Sequence, residues 1–430
     1  MSRECVTSWG CPITTPEPRR LPLWAGRTVA LLGIILVALN LRTAVAAISP
    51  IVSEIGTEIP LSAVGLGLLG MLPPVCFALF GILTPLATRR ASLELITTLA
   101  LVGILVGHLL RATSTSFTML VVGSVVTFAG MSVGNVLLPP LVKRYFPDRV
   151  GLVTSLYATV ISVSTFIPPF IAVPVADSAG WRVSLGMWAV TTIVAIVPWC
   201  TLLVRARLDK TEPAQPTTEE IETATAAALG RVWRTPVAWA VMVVFCVSSV
   251  NVYTFFAWMP DMLHDIAGSD QAQAGALLGL YAAMGLPTSM LVPVLAARMR
   301  NVSGLIFGAV VLLLLGDLGL LLVPSMATWL WVCLAGLGGL LFPLALVLIN
   351  ARTRTHEGSV ALSGFAQGVG YTIASAGPLL FGVLHDLSGG WFWPLVFLVL
   401  VALAPIAAGI VLAGSRMIED EWHRPVRSKN

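Results

Sequence analysis

Charge is what this sequence has little of. Of its 430 residues only 11% are Asp, Glu, Lys or Arg, against about 25% in a soluble globular domain. With 25 basic and 21 acidic residues, a globule of this size could not cover its surface with charge. That excludes a soluble enzyme, a secreted disulfide scaffold and a disordered chain. Cysteine is sparse as well. Cys5, Cys11, Cys76, Cys200, Cys246 and Cys333 show no paired spacing, and four of them lie inside apolar runs, so neither a disulfide framework nor a metal site follows. His264, His356, His385 and His423 sit in loops or near span ends, without a partner at metal-ligand spacing. There is no Walker loop, catalytic triad pattern or carboxylate cluster. The chain is not expected to be an enzyme, and no ATP, metal or organic cofactor is implied.

Apolar residues make up 57% of the chain, and the mean hydropathy is +0.91. A bilayer core needs about 20 apolar residues as helix. Runs that pass this test lie near 28–50, 62–87, 93–112, 116–141, 150–175 and 183–204, then 236–258, 272–297, 303–323, 327–350, 358–384 and 392–414. Lipid admits no open sheet. The sequence therefore predicts an all-α membrane protein of twelve transmembrane helices. The first long apolar run begins near Thr28 at full length, with no short stretch before it that ends in a cleavage site. A retained first span is expected rather than a signal peptide.

The net charge of +4 lies in short clusters between apolar runs and forms no continuous basic face, so no nucleic-acid partner is expected. The clusters give topology instead. One set of loops and tails holds 22 of the 25 cations, whereas the opposite loops hold only Arg111 and Arg182 and carry Glu54, Glu58, Asp261, Asp265 and Asp270. The positive-inside rule places both termini in the cytoplasm. The long polar, proline-bearing connection in the middle reads as a cytoplasmic linker, with room for a surface helix over Glu219–Leu229. The expected plan is a cytoplasmic tail over 1–27, a six-helix bundle over 28–205 and a linker over 206–235. A second six-helix bundle over 236–415 and a cytoplasmic tail over 416–430 complete it.

The halves repeat. Pro85 with Arg89-Arg90 is answered by Pro293 with Arg298 and Arg300, Gly151 by Gly358, Pro169 by Pro378, and Gly180-Trp181 by Gly390-Trp391. Gly134 and Pro139 of the fourth span have counterparts in Gly339 and Pro343 of the tenth. The offsets all fall near 207 residues. Two parallel six-helix repeats are the plan of the major facilitator transporters, whose substrate sites lie near the midplane between the halves.

An ionisable residue within the membrane is costly and marks a candidate site. Arg42 lies about 14 residues, roughly 21 Å, along the first span at 1.5 Å per residue. It either snorkels to the outer surface or lines a water-filled cavity and pairs with substrate. A guanidinium offers planar, two-donor hydrogen bonding to an anion or nitro group. No Asp or Glu lies in the apolar stretches of the first, fourth and seventh spans to cancel its charge. Asn251 and Trp258 of the seventh span, seven residues apart, share a helix face, and Tyr253 is expected to point elsewhere. Asn251 either binds substrate or hydrogen-bonds between helices; Trp258 is an interfacial belt residue or an outer gate. Gln367 and Tyr371 stand one above the other on the eleventh span, among Gly364, Gly368 and Gly370. Tyr157, Asn135 and Tyr281 are further candidates. His108 and Asp317, on peripheral spans, are expected to make structural hydrogen bonds rather than a proton couple.

Certain segments carry a specific resemblance. They are Ala38-Leu-Asn-Leu-Arg42, Gly134-Asn-Val-Leu-Leu-Pro139 with Lys143-Arg144, Asn251-Val-Tyr253 with Trp258, and Leu362-Ser-Gly-Phe-Ala-Gln367-Gly-Val-Gly-Tyr371. The last continues through Gly377-Pro378 to His385-Asp386 and Gly389-Gly-Trp391. Together they resemble the cyanate porter and nitroimidazole transporter family of the major facilitator superfamily, over nearly the whole chain. Two positions depart from it: Thr43 stands where the family usually has proline, and the loop after the second span is reduced to Thr88-Arg89-Arg90. The resemblance implies a small anion or electron-rich heterocycle as solute. The expected function is a secondary active or facilitative transporter working by alternating access in the cell membrane, as a monomer with the lipid bilayer around it. Arg42 would bind substrate, with Asn251, Gln367 and Tyr371 supplying hydrogen bonds and stacking. The alternatives are a multidrug exporter of the same fold and a membrane sensor that does not transport.

Overall fold

The computed structural model describes residues 27–88, 90–208, 230–299, 301–414 and 416–422. The tail 1–26, the linker stretch 209–229 with its expected surface helix over Glu219–Leu229, and 423–430 lie outside the described residues. Among the described residues, twelve membrane-length helices follow in order. In the first half they are α1 (Thr28–Ala46), α2 (Ala63–Thr88), α3 (Leu93–Ala112), α4 (Phe117–Tyr145), α5 (Val150–Ala179) and α6 (Trp181–Val204). The second half contains α7 (Pro236–Ala267), α8 (Gln271–Arg298), α9 (Ser303–Leu322), α10 (Thr328–Ala351), α11 (356–388) and α12 (Phe392–Leu412). Eleven of them are apolar enough to cross a bilayer on that ground alone. The other, α11, is two helical segments, His356–Ala374 and Ala376–Ser388, that meet at Ser375; its glycines, Gln367 and Tyr371 lower its hydropathy.

Local sequence sets the helix ends. Ser92, Ser116, Asp270 and Thr355 stand at N-caps, where each side chain accepts the free N–H three residues on. The Gly-Trp signal of each half ends a helix: Gly180 after α5 has φ 87° and Gly389 after α11 has φ 66°, backbone that a Cβ disfavours. Within each half, glycine sets the helix spacing in the same way. A Cβ on Gly107 of α3 would lie 2.7 Å from the Gly123 carbonyl of α4, and one on Gly316 of α9 would lie 2.6 Å from the Ala335 nitrogen of α10. The internal repeat of the sequence is thus a repeat of close helix pairs. Large apolar side chains such as Leu79, Ile82, Leu99, Val190, Ile193 and Leu400 remain exposed on the outer surface, as a lipid-facing belt requires.

The halves meet most closely at the end away from the arginine-rich loops. There Gly67 and Gly70 of α2 pack on Pro378 of α11 and Ala257 of α7, while Gly275 and Gly279 of α8 pack on Pro169 and Phe170 of α5. Gln271 of α8 donates to the Pro50 carbonyl at 3.1 Å and also bonds Ser53. A short helix at the same end, Val52–Glu58, is tied down by Glu58, which accepts from Arg182 at 2.6 Å and from Trp181 at 3.1 Å. These hydrogen bonds hold the Glu58 carboxyl below the usual carboxylate range, the Arg182 bond most of all. At the arginine-rich end each half is tied to itself, by Arg27 to Asp148 at 2.6 Å in the first half and Arg354 to Asp420 at 2.7 Å in the second.

Candidate functional site

The first span is not the continuous helix that its run of apolar residues predicts. Helix stops at Asn40 and resumes only over Thr43–Ala46. A 3-10 turn over Ser49–Ile51 follows. The cause lies in polar side chains that compete for backbone groups. Asn40 Nδ2 donates to the Leu36 carbonyl at 2.8 Å and the Thr191 carbonyl at 3.3 Å, while its Oδ1 accepts from the hydroxyls of Thr191 and Thr192. Arg42 sits in the break, with φ −132° and ψ −14°. Gly134 of α4 makes room beside it, since a Cβ there would lie 2.9 Å from Leu41 Cδ2.

Arg42 is half-buried and turned inward. Its guanidinium carbon lies 4.9 Å from the centre of the Phe77 ring on α2, a distance at which a cation is attracted to the ring face. Tyr371 of α11 has its ring 5.8 Å from Phe77 and 6.1 Å from Tyr253 of α7, and Tyr253 is 6.4 Å from Phe77. Phe245 supports the group edge-on at 4.8 Å from Tyr371. The Tyr371 hydroxyl is within interaction reach of both Arg42 and Tyr253. Arg42 Nη1 is buried and has no hydrogen-bond partner. One cation with a free donor therefore faces three aromatic rings at the junction of the two halves. A cavity lined by Val45, Ser49, Leu69, Pro73, Tyr253 and Phe256 adjoins it on the side of the closed end. This arrangement suits a flat, electron-rich solute that takes hydrogen bonds from a guanidinium and stacks on phenyl or phenol rings.

Of the residues singled out in the sequence, the structure brings Arg42 and Tyr371 together. Tyr253, expected to point away, joins them, and Phe77, which sequence reading passed over, lies at the centre. Its only signal is an aromatic residue placed three after Pro73-Pro74 in the middle of α2. Asn251 does not join. Fully buried, it donates to the Val247 carbonyl of its own helix at 3.1 Å and leaves Oδ1 unpartnered. It lies one turn from Ser248, which reaches Gly339 of α10, and from Phe255, which packs on Tyr281 of α8. That face of α7 looks into the second half, away from Arg42. Gln367 stands a turn from Tyr371, half-buried and bonded to Ser363 of its own helix at 2.8 Å. Of the three glycines around them, Gly370 is tightly packed, with a Cβ there 2.7 Å from the Phe245 ring, whereas a Cβ on Gly364 or Gly368 would meet nothing closer than 4.0 Å.

Among the described residues, no ring or cation contact joins the other candidates to this group. Tyr281 is buried between Phe255 and Phe256, and its hydroxyl has no partner. Tyr157 packs at the edge of the core on α5, and Asn135 is half-buried on α4 beside Gly134. Trp258 is no belt residue: only 3% exposed, it donates to the Pro378 carbonyl at 2.9 Å. It packs with Phe381, His385 and Trp391, and Trp391 donates to Asp265 at 2.9 Å. It belongs to the closed end. His108 and Asp317 are fully buried; His108 faces the Leu185 backbone, while neither carboxylate oxygen of Asp317 has the structural hydrogen bond expected of it.

The chain matches the Major Facilitator Superfamily over residues 30–375. It is 32% identical over 382 residues to the uncharacterized transporter YycB of Bacillus subtilis, covering 88% of this chain and 91% of that one. To the 2-nitroimidazole transporter of Escherichia coli it is 30% identical, covering 89% and 95%, and to the cyanate transport protein CynX of the same organism 27%, covering 85% and 92%. Among solved structures, a bacterial homolog of the human lysosomal transporter Spinster superposes with a TM-score of 0.71 at 16% identity, covering 91% of this chain and 99% of that one. The D-xylose-proton symporter follows with 0.68 at 15%, covering 93% and 99%. These two likenesses concern the fold alone. Twelve helices in this fold and the likeness to porters over nearly the whole length place the chain as a membrane transporter of the major facilitator superfamily, in its cyanate and nitroimidazole porter group.

Proposed function

We propose that the chain moves a small planar anion or nitro- or imidazole-like solute across the cell membrane by alternating access, and that Arg42, Tyr371, Tyr253 and Phe77 hold it. The observation that carries this reading is the Arg42 guanidinium, presented by a broken helix between the two halves with a free donor and three aromatic rings around it. Halves that close on each other through α2, α7 and α11 at one end are one of the two states that rocking requires. The relatives named for 2-nitroimidazole and cyanate add support, since both solutes are small, have no bulk out of plane and carry acceptors for a guanidinium. The site lies within one chain, so a monomer suffices. Uptake into proteoliposomes over a panel of cyanate, nitrate, small carboxylates and imidazoles, with lipophilic cations beside them, tests the reading. Uptake confined to lipophilic cations would show a multidrug exporter instead, and binding without uptake would show a sensor.

Two more results are expected. Tyr253→Ala should weaken binding of the best panel solute by about three- to tenfold, as befits the loss of an aromatic contact of about 0.5–1.5 kcal/mol. Asn251→Ala should leave it unchanged, because Asn251 looks into the second half. A titration giving the reverse order would move the site to the other face of α7. The arginine-rich end, with both termini and residue 352, is taken to be cytoplasmic. Reporter fusions should find residue 352 inside and residue 265 outside, and the opposite result would invert the molecule.

A further inference from the structure

Arg111, in the last turn of α3, has no part in the site described above. Read from sequence as an outer-loop residue, it is instead fully buried. Among the described residues none of the ion pairs includes it. Glu58, at the same end, is held by Arg182 and Trp181. Nε and Nη1 of Arg111 have no hydrogen-bond partner, and its guanidinium carbon lies 6.0 Å from the Phe128 ring centre. A buried cation without an acid is costly, so what it does bind is informative. That partner is the Ala44 carbonyl, at 3.2 Å from Nη2.

Ala44 lies two residues past Arg42. In a continuous helix its carbonyl would accept the N–H four residues on. Here the helical segment ends at Ala46, and the chain turns into the 3-10 segment at Ser49. The last carbonyls of so short a helix have no partner within it, and an arginine from α3 supplies one. The place is prepared for its stem: a Cβ on Gly123 of α4 would lie 3.0 Å from Arg111 Cγ and from its backbone nitrogen. On the other side of the break, Asn40 ties the preceding turn to α6 through Thr191 and Thr192. The break is therefore anchored on both sides, by Asn40 to α6 and by Arg111 to α3.

We infer that Arg111 is a positioning residue for Arg42: by holding the Ala44 carbonyl from α3 it fixes the short helical segment Thr43–Ala46 that follows the break in α1, and so keeps the Arg42 guanidinium over Phe77. The geometric part of this inference is independent of any solute. Its consequence for binding rests on the proposed role of Arg42, and the experiment separates the two.

Hydrogen exchange of the amides over 41–48 reads the break, and uptake of the panel solute best transported by the native protein reads its consequence. In Arg111→Gln, exchange over 44–48 should be at least tenfold faster. KM should rise about tenfold, while the maximal rate per folded transporter stays within twofold. Arg111→Lys can still make the single bond to Ala44 and should restore both readouts. A merely structural arginine would instead lower the yield of folded protein with KM unchanged. If Arg111→Gln does not accumulate, Gly123→Ala displaces the same side chain while keeping its charge, and should also speed exchange over 44–48. Native exchange over 41–48 in the folded Gln variant, or in Gly123→Ala where that variant stands in for it, overturns the inference. Arg42→Ala serves as the control, expected to lose solute binding with native exchange. If it binds solute normally while Arg111→Gln exchanges faster, the brace stands and the solute reading of Arg42 falls.

Discussion

Replacing Arg42 with lysine is expected to weaken solute binding by roughly ten- to a hundredfold, and replacing it with alanine by more. Lysine keeps the charge but not the planar pair of donors. Charge-assisted hydrogen bonds contribute about 1.5–3 kcal/mol each, and about 1.4 kcal/mol is tenfold in affinity. The cation also lies 4.9 Å over Phe77, and a guanidinium plane matches that ring better than an ammonium does. Both variants should insert and fold, because the break in α1 is built by Asn40 and its partners on α6 and not by Arg42 itself. Direct titration of the lysine variant with the panel solutes is the measurement. An arginine that merely snorkelled would be replaced by lysine almost without effect, so near-native affinity would remove Arg42 from the site.

Gly70→Val should abolish most transport and leave the protein folded. A Cβ at position 70 would lie 2.5 Å from the Ala257 Cβ and 2.9 Å from the Pro378 Cβ, and a Cβ on Gly67 one turn earlier would lie 2.9 Å from the Pro378 carbonyl. All of these contacts run from the first half to the second. Overpacking of this kind costs about 1–3 kcal/mol, and it falls on the closed arrangement alone, because separating the halves relieves it. The closed state should lose population by about ten- to a hundredfold, and uptake should fall with it while the unfolding temperature stays near native. Gly107→Val is the contrast. Its Cβ would meet the Gly123 carbonyl at 2.7 Å within one half, where no rocking can relieve it, and folded protein should be lost. Uptake and thermal unfolding measured side by side decide the point. If Gly70→Val transports at the native rate, the contact of α2 with α7 and α11 is no gate.

Only part of the site is legible in the sequence. Arg42 and Tyr371 could be found in the sequence because a cation and a phenol are rare inside apolar runs and expensive there. Phe77 could not, because phenylalanine in a membrane helix is ordinary and only its place opposite Arg42 gives it a role. Tyr253 and Asn251 lie two residues apart, hence on different faces of α7, and periodicity alone does not say which face meets the first half. Asn251 is a candidate because it is a polar residue inside an apolar run; position along a helix carries no information on rotation about it. The break in α1 was hidden for a similar reason. Nothing in Leu39-Asn-Leu-Arg-Thr43 forbids helix, and the partners that stop it, Thr191 and Thr192, come from more than a hundred residues away.

What the sequence determined by itself was everything that depends on solvent and period. Too little charge for water, twelve apolar runs of bilayer length and a repeat near 207 residues leave few other folds, because unsatisfied backbone in lipid is too costly to allow them. The fold likenesses and the family match agree with that reading. Only the tertiary structure decided which helix faces turn to one another. It placed Arg42 in a gap of α1, set Phe77 and Tyr253 beside Tyr371, buried Arg111 and brought it to the Ala44 carbonyl, and closed the halves at Gly67 and Gly70. The physical reason is that a lipid-facing side chain and a buried one can have the same composition here. Hydrophobic burial, which orients helices in a soluble protein, does not distinguish the faces, and the choice falls to close packing at glycine and to the few polar groups that must find partners.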